Sequence, residues 1–354
     1  MSAGDGDTAL ARSFRRLIAH DGPIPVLRYM GESNASYYAS RDPLGSAGDF
    51  TTAPEISQMF GEMIGLWLTD LWLRADRPDA AYVELGPGRG TLASDALRAM
   101  ASQGLAPDVH FVEGSQALRD VQAGRLAQAQ FHESIDTLPE DRPLLLVANE
   151  FLDALPIRQL VQTGAGWRER MVALDGESFV FASGPNPMDD AVPDALREQP
   201  VGTVIETCPA AAAILAALAE RLDRQGGVAL FVDYGHLQMR TGETLQALRT
   251  HRKVGVFEAP GEMDLTAHVD FATLAAIARR AGLSVDCTTQ GTWLDAIGMG
   301  LRTTTLARAR PDRAEALQTA HRRLTHADEM GELFKVMALT APDWPRGAGF
   351  PASD

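Results

Sequence analysis

The sequence predicts an α/β fold: a largely parallel, Rossmann-like sheet with a helical cap in front and an antiparallel β insertion. Three observations predict it. Short apolar runs alternate with helical stretches between residues 80 and 149, which is the βαβα rhythm of a parallel sheet. The first run, Tyr82-Val83-Glu84-Leu85, enters a turn with glycine at every second position, Gly86-Pro87-Gly88-Arg89-Gly90, and then a helix at Thr91–Ser102. Between 156 and 183 the periodicity changes to alternation around glycine turns, as in antiparallel strands.

Thr8 is a natural N-cap for an amphipathic helix over 8–20, with Leu10, Phe14, Leu17 and Ile18 on one face. A second helix starts at Pro25–Met30, and the polar stretch Asn34–Phe50 reads as a loop. Pro54 opens a strong helix through Arg74. Residues 1–78 therefore form an N-terminal helical cap. Strands follow at 80–85, 109–113, 129–132 and 143–149. The insertion, 156–200, contains Ile157–Gln162, Trp167–Leu174 and Ser178–Ala182, and ends in a linker-like Pro185–Pro200. The core, 79–155 and 201–354, resumes with a helix at 210–224 and the apolar strand Val228–Val232. Residues 236–268 are polar and rich in Gly and His, a substrate-side loop. Helix 271–281, strand 283–288, helix 311–325 and strand Phe334–Leu339 complete the chain.

Composition excludes several classes. A net charge of −15 with no long basic run argues against nonspecific nucleic-acid binding. Cys208 and Cys287 lack metal-type spacing, and no His-x-x-x-His occurs, so no metal site is expected. No apolar run reaches the length of a membrane span, and the acidic Met1–Asp7 is not a targeting peptide. These features predict a cytoplasmic protein. The helices at 8–20 and 54–74 suit a homodimer face or a cap on the core equally well.

The glycine turn strips side chains from a strand–helix corner, so a ligand can reach the backbone and the free N–H groups of the helix. Dinucleotide sites prefer G-x-G-x-x-G. Here the pattern is G-x-G-x-G, with Thr91 in place of the third glycine, and Glu84 stands two residues before Gly86. That combination fits S-adenosyl-L-methionine (SAM), whose amino-acid end carries an ammonium that Glu84 can meet. Glu113 ends the Val109–Val112 strand, where an acid accepts both ribose hydroxyls in doubly wound folds. A helix N-terminal charge is the alternative for Glu113.

Two further strands end in charged residues at the same sheet edge. Asn149-Glu150-Phe151-Leu152-Asp153 follows the apolar Leu144–Val147, and Asp233-Tyr234-Gly235-His236 follows Val228–Val232. Strands buried on both faces cannot hide charges inside. Methyl transfer to an amine or guanidine needs the nucleophile aligned and a proton removed. Glu150, Asp153 and Asp233 are the candidates for that work. Asp153 reads equally well as a turn or capping acid before Pro156. His251 and His268, in the polar loop, are substrate-side candidates, and His236 is better placed, three residues past Asp233.

At this point the chain resembles the MidA-like SAM-dependent methyltransferases, whose mitochondrial members are complex I assembly factors that dimethylate an arginine. The resemblance rests on Gly48–Gln58, Phe60-Gly61-Glu62, Glu84–Thr91, Asn149–Pro156, Asp233–His236, Gly242–Gln246, Pro260–Phe271 and Met330–Met337. It implies a class I methyltransferase fold with a mostly parallel seven-stranded sheet, SAM as cofactor, and arginine methylation of a protein substrate, a complex I subunit or its bacterial equivalent. It also implies that the Asp49–Glu55 segment folds over the SAM site, with Thr51, Asp49 and Glu55 near cofactor or substrate. Pro87 and Asn149 join the cofactor set, and Tyr234 the substrate side. An assembly chaperone that holds SAM as a structural ligand, a small-molecule methyltransferase with 156–200 as a lid, and an NAD enzyme are the competing readings. Departures are Ala53 for a common serine, Trp293 for a common phenylalanine, and the run Val254–Glu258.

Overall fold

The computed structural model describes residues 7–40, 52–249 and 252–351. The chain divides into two compact units. One is assembled from Met1–Pro43, Asp153–Ala212 and Met239–His268, the other from Leu44–Leu152, Ala213–Gln238 and Val269–Asp354. This partition differs from the one read along the sequence. The N-terminal helices group with the β insertion and the 239–268 segment, whereas the helix over 58–74 groups with the large sheet.

The second unit carries an eight-stranded sheet. Its path runs Ser284–Thr289, Phe334–Thr340, Gly227–His236, Leu144–Asn149, Ala81–Leu85, Asp108–Val112, Gln130–His132, with Val269–Asp270 paired to Gly227–His236 off this path. Pairings from Gly227–His236 outward to Gln130–His132 are parallel. The two that hold Phe334–Thr340 are antiparallel. The architecture is α/β with mixed sheets. Every residue of Ala81–Leu85 and of Leu144–Asn149 is buried, which is why Leu144–Ala148 reads as an unbroken apolar run rather than an alternating one.

The helix expected over 54–74 is two helices. A single turn, Ala53–Ile56, stops at Ser57, which adopts an extended conformation. Its hydroxyl then caps Gln58–Arg74 by accepting the Met59 N–H at 3.2 Å. Gln58–Arg74 lies against Thr91–Ser102, the helix behind the glycine turn. The crossing depends on two glycines one turn apart. A Cβ on Gly61 would fall 2.7 Å from Asp95 Cβ, and one on Gly65 only 2.4 Å from the Ala96 carbonyl oxygen. The segment after Thr289, unassigned from sequence, forms helices Gln290–Ala296 and Met299–Ala309.

The first unit has its own core. Phe14 on helix Ala9–Asp21 and Tyr29 on helix Val26–Ser40 pack with Phe179 and Phe257. Its five-stranded sheet contains Arg158–Thr163, Gly166–Asp175 and Ser178–Pro187, with Ile24–Pro25 and Val204–Thr207 at its edges. Two loop expectations fail here. Asn34 was expected in a loop, yet the helix continues through Ser40 because the Asn34 amide is used internally. It donates to the Ala154 and Leu265 carbonyls and accepts the Leu265 N–H. The 236–268 stretch holds a three-stranded antiparallel sheet, Arg252–Val254, Gln246–Arg249 and Asp264–Thr266. Phe257, Met263 and Leu265 bury it in the aromatic core, although its polar composition hides them. The expected linker over 185–200 is also anchored, with Val192 buried and the Trp167 indole donating to the Arg197 carbonyl.

Replacing Gly65 by alanine gains about 1 kcal/mol of helix propensity. It also drives a methyl group into backbone, and such overpacking costs about 1–3 kcal/mol. The expected outcome is a lower urea midpoint at unchanged m-value, read by circular dichroism. A raised midpoint would show that the two helices separate without strain.

Candidate active site

Ala81–Leu85 has Asp108–Val112 on one side and Leu144–Asn149 on the other. It is the point where strand order reverses, and a crevice opens beyond its carboxyl end. The glycine turn leaves from there. Gly86, Gly88 and Gly90 have φ of +58°, +53° and +73°, a region that side-chain-bearing residues rarely adopt. Gly90 begins Thr91–Ser102 with no side-chain cap, so the first amides of that helix point at the crevice.

Five segments line the cleft. The turn contributes Gly86 to Arg89, the strand before it Glu84, the helix after it Thr91 and Leu92, the end of the neighbouring strand Asn149 and Glu150, and the short helix with its N-cap Thr52, Pro54 and Glu55. Glu55 is latched to the turn, since its carboxylate accepts the Thr91 hydroxyl at 2.6 Å. Arg125 donates to the same hydroxyl. Glu84 is 2 % exposed and accepts the Tyr82 hydroxyl at 2.7 Å. Burial pushes its pKa up to about 8, and the Tyr82 bond only partly opposes that.

Glu113 does not line this cleft but is joined to it. One oxygen accepts the Ser115 N–H at 2.8 Å and the other the Gln122 amide at 3.3 Å. The same amide donates to the Gly88 carbonyl at 2.6 Å. Burial raises the Glu113 pKa, and its hydrogen bonds work against the rise.

Glu150 has φ of +51°, a strained conformation for a non-glycine residue, costing about 1–3 kcal/mol. Its amide continues the sheet by donating to the Val232 carbonyl at 2.9 Å. Its carboxylate accepts the Ala53 N–H and the Asn149 amide, each at 3.1 Å. Asp233 is 1 % exposed, and its two oxygens accept the Leu152 and Tyr234 N–H groups, each at 2.9 Å. That carboxylate therefore holds the Glu150–Leu152 turn. Tyr234 meets Phe334 edge-on at 5.5 Å. His236 Nδ1 lies 2.7 Å from the Gln238 carbonyl and 3.7 Å from Asp270. Asp153 and His268 belong to the other unit. There the Asp153 carbonyl accepts the Ala267 N–H, and the His268 N–H bonds Thr244. Asp49, Thr51 and His251 lie outside the described residues.

The residues fit SAM on three counts. A Cβ on Gly86 would come within 2.8 Å of the Phe151 ring, so the turn is shaped to stay bare. Asn149 Oδ1 is buried with no hydrogen-bond partner, an acceptor that a ligand donor would satisfy. Glu84 offers a desolvated carboxyl beneath the turn. Gln122 and Phe151 escaped sequence reading. The available signal for Gln122 was its place four residues after Leu118, on the apolar side of its helix; Phe151 gave none.

Residues 63–289 match the family described as "Putative S-adenosyl-L-methionine-dependent methyltransferase". The chain belongs to this family. The methyltransferase is 36% identical over 360 residues to the protein arginine methyltransferase NDUFAF7, mitochondrial, of Xenopus tropicalis, covering 91% of this chain and 83% of that one. The human protein of the same name is 33% identical, with 94% and 83% covered. A crystal structure from Burkholderia thailandensis with bound S-adenosyl-homocysteine superposes with a TM-score of 0.82 at 30% identity, over 96% of this chain and 95% of that one. SAM is thus the cofactor of this methyltransferase.

Gly86→Ala places a methyl group against Phe151 at a left-handed φ. The expected result is a loss of SAM affinity of roughly 5- to 150-fold by calorimetry, from about 1–3 kcal/mol of strain, with circular dichroism unchanged. Wild-type affinity would show that the turn relaxes freely.

Proposed function

We propose that the methyltransferase transfers the methyl group of SAM to an arginine side chain of a protein substrate. The observation that carries this reading is the convergence of Glu55, Glu84 and Glu150 on one cleft beside the glycine turn, next to relatives named for arginine methylation. By the same resemblance, the substrate is a subunit of respiratory complex I or its bacterial equivalent. The seven-strand path of the large sheet is read as the class I methyltransferase sheet, with the SAM site at its switch point.

Bound SAM supplies an electrophilic methyl carbon on a sulfonium that leaves with the C–S electron pair. Glu84 would pair with the ammonium of the cofactor and Glu113 with the ribose, and Gly86, Gly88 and Gly90 present bare backbone to it. A guanidinium is always protonated and presents a fork of N–H donors that matches carboxylates. Glu150 and Glu55 supply such carboxylates, aligning one nitrogen for in-line attack. As the new C–N bond forms, that nitrogen gives up a proton, which the Glu150 carboxylate accepts. Asp233 acts by holding the Glu150–Leu152 turn. Tyr234 and His236 are assigned to the substrate side.

Two measurements test the reading. Glu84 is mostly protonated at pH 7 in the free site and must ionise to meet an ammonium. SAM affinity therefore rises as pH climbs from 6 toward 8, and binding at pH 7 releases about one proton. Calorimetry in buffers of different ionisation heat reads this release, and Glu84→Gln abolishes it. Binding without proton release would remove Glu84 from the ammonium. Second, labelled SAM and a purified complex I subunit should yield methylarginine. Glu150→Gln should lower the rate by about 10²–10⁴-fold while SAM still binds. SAM binding with no methylated arginine would overturn the assignment.

A further inference from the structure

We propose that Gln122 is a positioning residue for the cofactor: from behind the glycine turn it holds the Gly88 carbonyl and the Glu113 carboxylate in one frame. The side chain is fully buried. Both groups it meets are acceptors, Gly88 O at 2.6 Å and Glu113 Oε2 at 3.3 Å. That fixes the amide with its NH₂ toward them. Oε1 is left buried without a partner, so the amide is a poor choice for packing alone. An apolar side chain would fill the position without burying an unpaired oxygen of its own.

The turn needs an external brace because glycines do not choose their own conformation. Helix Gln116–Arg125 provides it. A Cβ on Gly90 would lie 3.9 Å from Gln122 Cγ and 3.8 Å from Arg125 Cδ, so these side chains, one helical turn apart, lie against the back of the turn. Arg125 fixes Thr91, which fixes Glu55. Gln122 fixes Gly88 and the acid at the end of the next strand. The spacing between the bare turn and Glu113, the two halves of a nucleoside site, is thus set by one amide. The inference rests on the SAM site described above and on the ribose role of Glu113.

Calorimetric titration of SAM into wild type, Gln122→Met and Gln122→Glu tests it. Gln122→Met should bind about tenfold more weakly, the equivalent of one lost buried hydrogen bond. Its kcat at saturating SAM should stay near wild type, which a general loss of fold would not allow. Relative to wild type at the same pH, Gln122→Glu should be weaker still at pH 8 and recover as pH falls, because a protonated carboxyl regains a donor toward Gly88. Should Gln122→Met fail to fold, Gln122→Asn keeps the amide one methylene short and should show the same split. Wild-type affinity in the folded variants, or a Gln122→Glu defect independent of pH, overturns the role of Gln122. Failure of wild type itself to bind SAM would instead overturn the site.

Discussion

Three glycines held at positive φ let the backbone between Leu85 and Thr91 leave a buried strand and enter a helix with side chains only at Pro87 and Arg89. The conformation is not self-supporting, because each glycine is free to adopt others. Neighbours hold it on every side. Phe151 stands against Gly86, Gln122 bonds Gly88, and Gln58–Arg74 packs its own glycines against the helix that follows. Phe151 is in turn placed by Asp233, which takes the amide of Leu152. The ligand edge is therefore a set of contacts that support one another.

The distribution of charge follows from the same sheet. Strands buried on both faces leave acids nowhere to sit but the ends or against a partner. Glu84 takes the second course, inside its strand with the Tyr82 hydroxyl as partner, and is held there as a carboxyl rather than a carboxylate. Glu150 takes the first, at the cost of a left-handed backbone. That strain is offset by the bond from its amide to Val232 and by the two donors on its carboxylate. The two acids are thus perturbed in different ways, Glu84 by desolvation and Glu150 in its backbone.

What the sequence made legible was local. Glycine spacing, apolar runs and the acids at strand ends placed Glu84, Gly86, Asn149 and Glu150 in one cleft without structural help. What it hid was long-range. Asn34 looks like a loop residue until its amide is seen bridging Ala154 and Leu265. Phe257 sits in a polar stretch, yet joins rings from Tyr29 and Phe179, far away in the chain. The grouping of segments 1–43, 153–212 and 239–268 into one unit has no signature in any window of sequence. Asp153 shows the limit most directly. It is adjacent to the Glu150–Leu152 turn in sequence and falls in the other unit.

The position of Phe334–Thr340 sets the order of events during synthesis. This strand lies between Gly227–His236 and Ser284–Thr289, antiparallel to both. A nascent chain carries both flanking strands before the one that joins them is made. Until residue 340 emerges from the ribosome, Gly227–His236 exposes a long apolar edge with unpaired backbone groups, the kind of surface that recruits other strands. Loops that close over such sequence distances form slowly. Phe334–Thr340 is thus also a clasp that closes this edge.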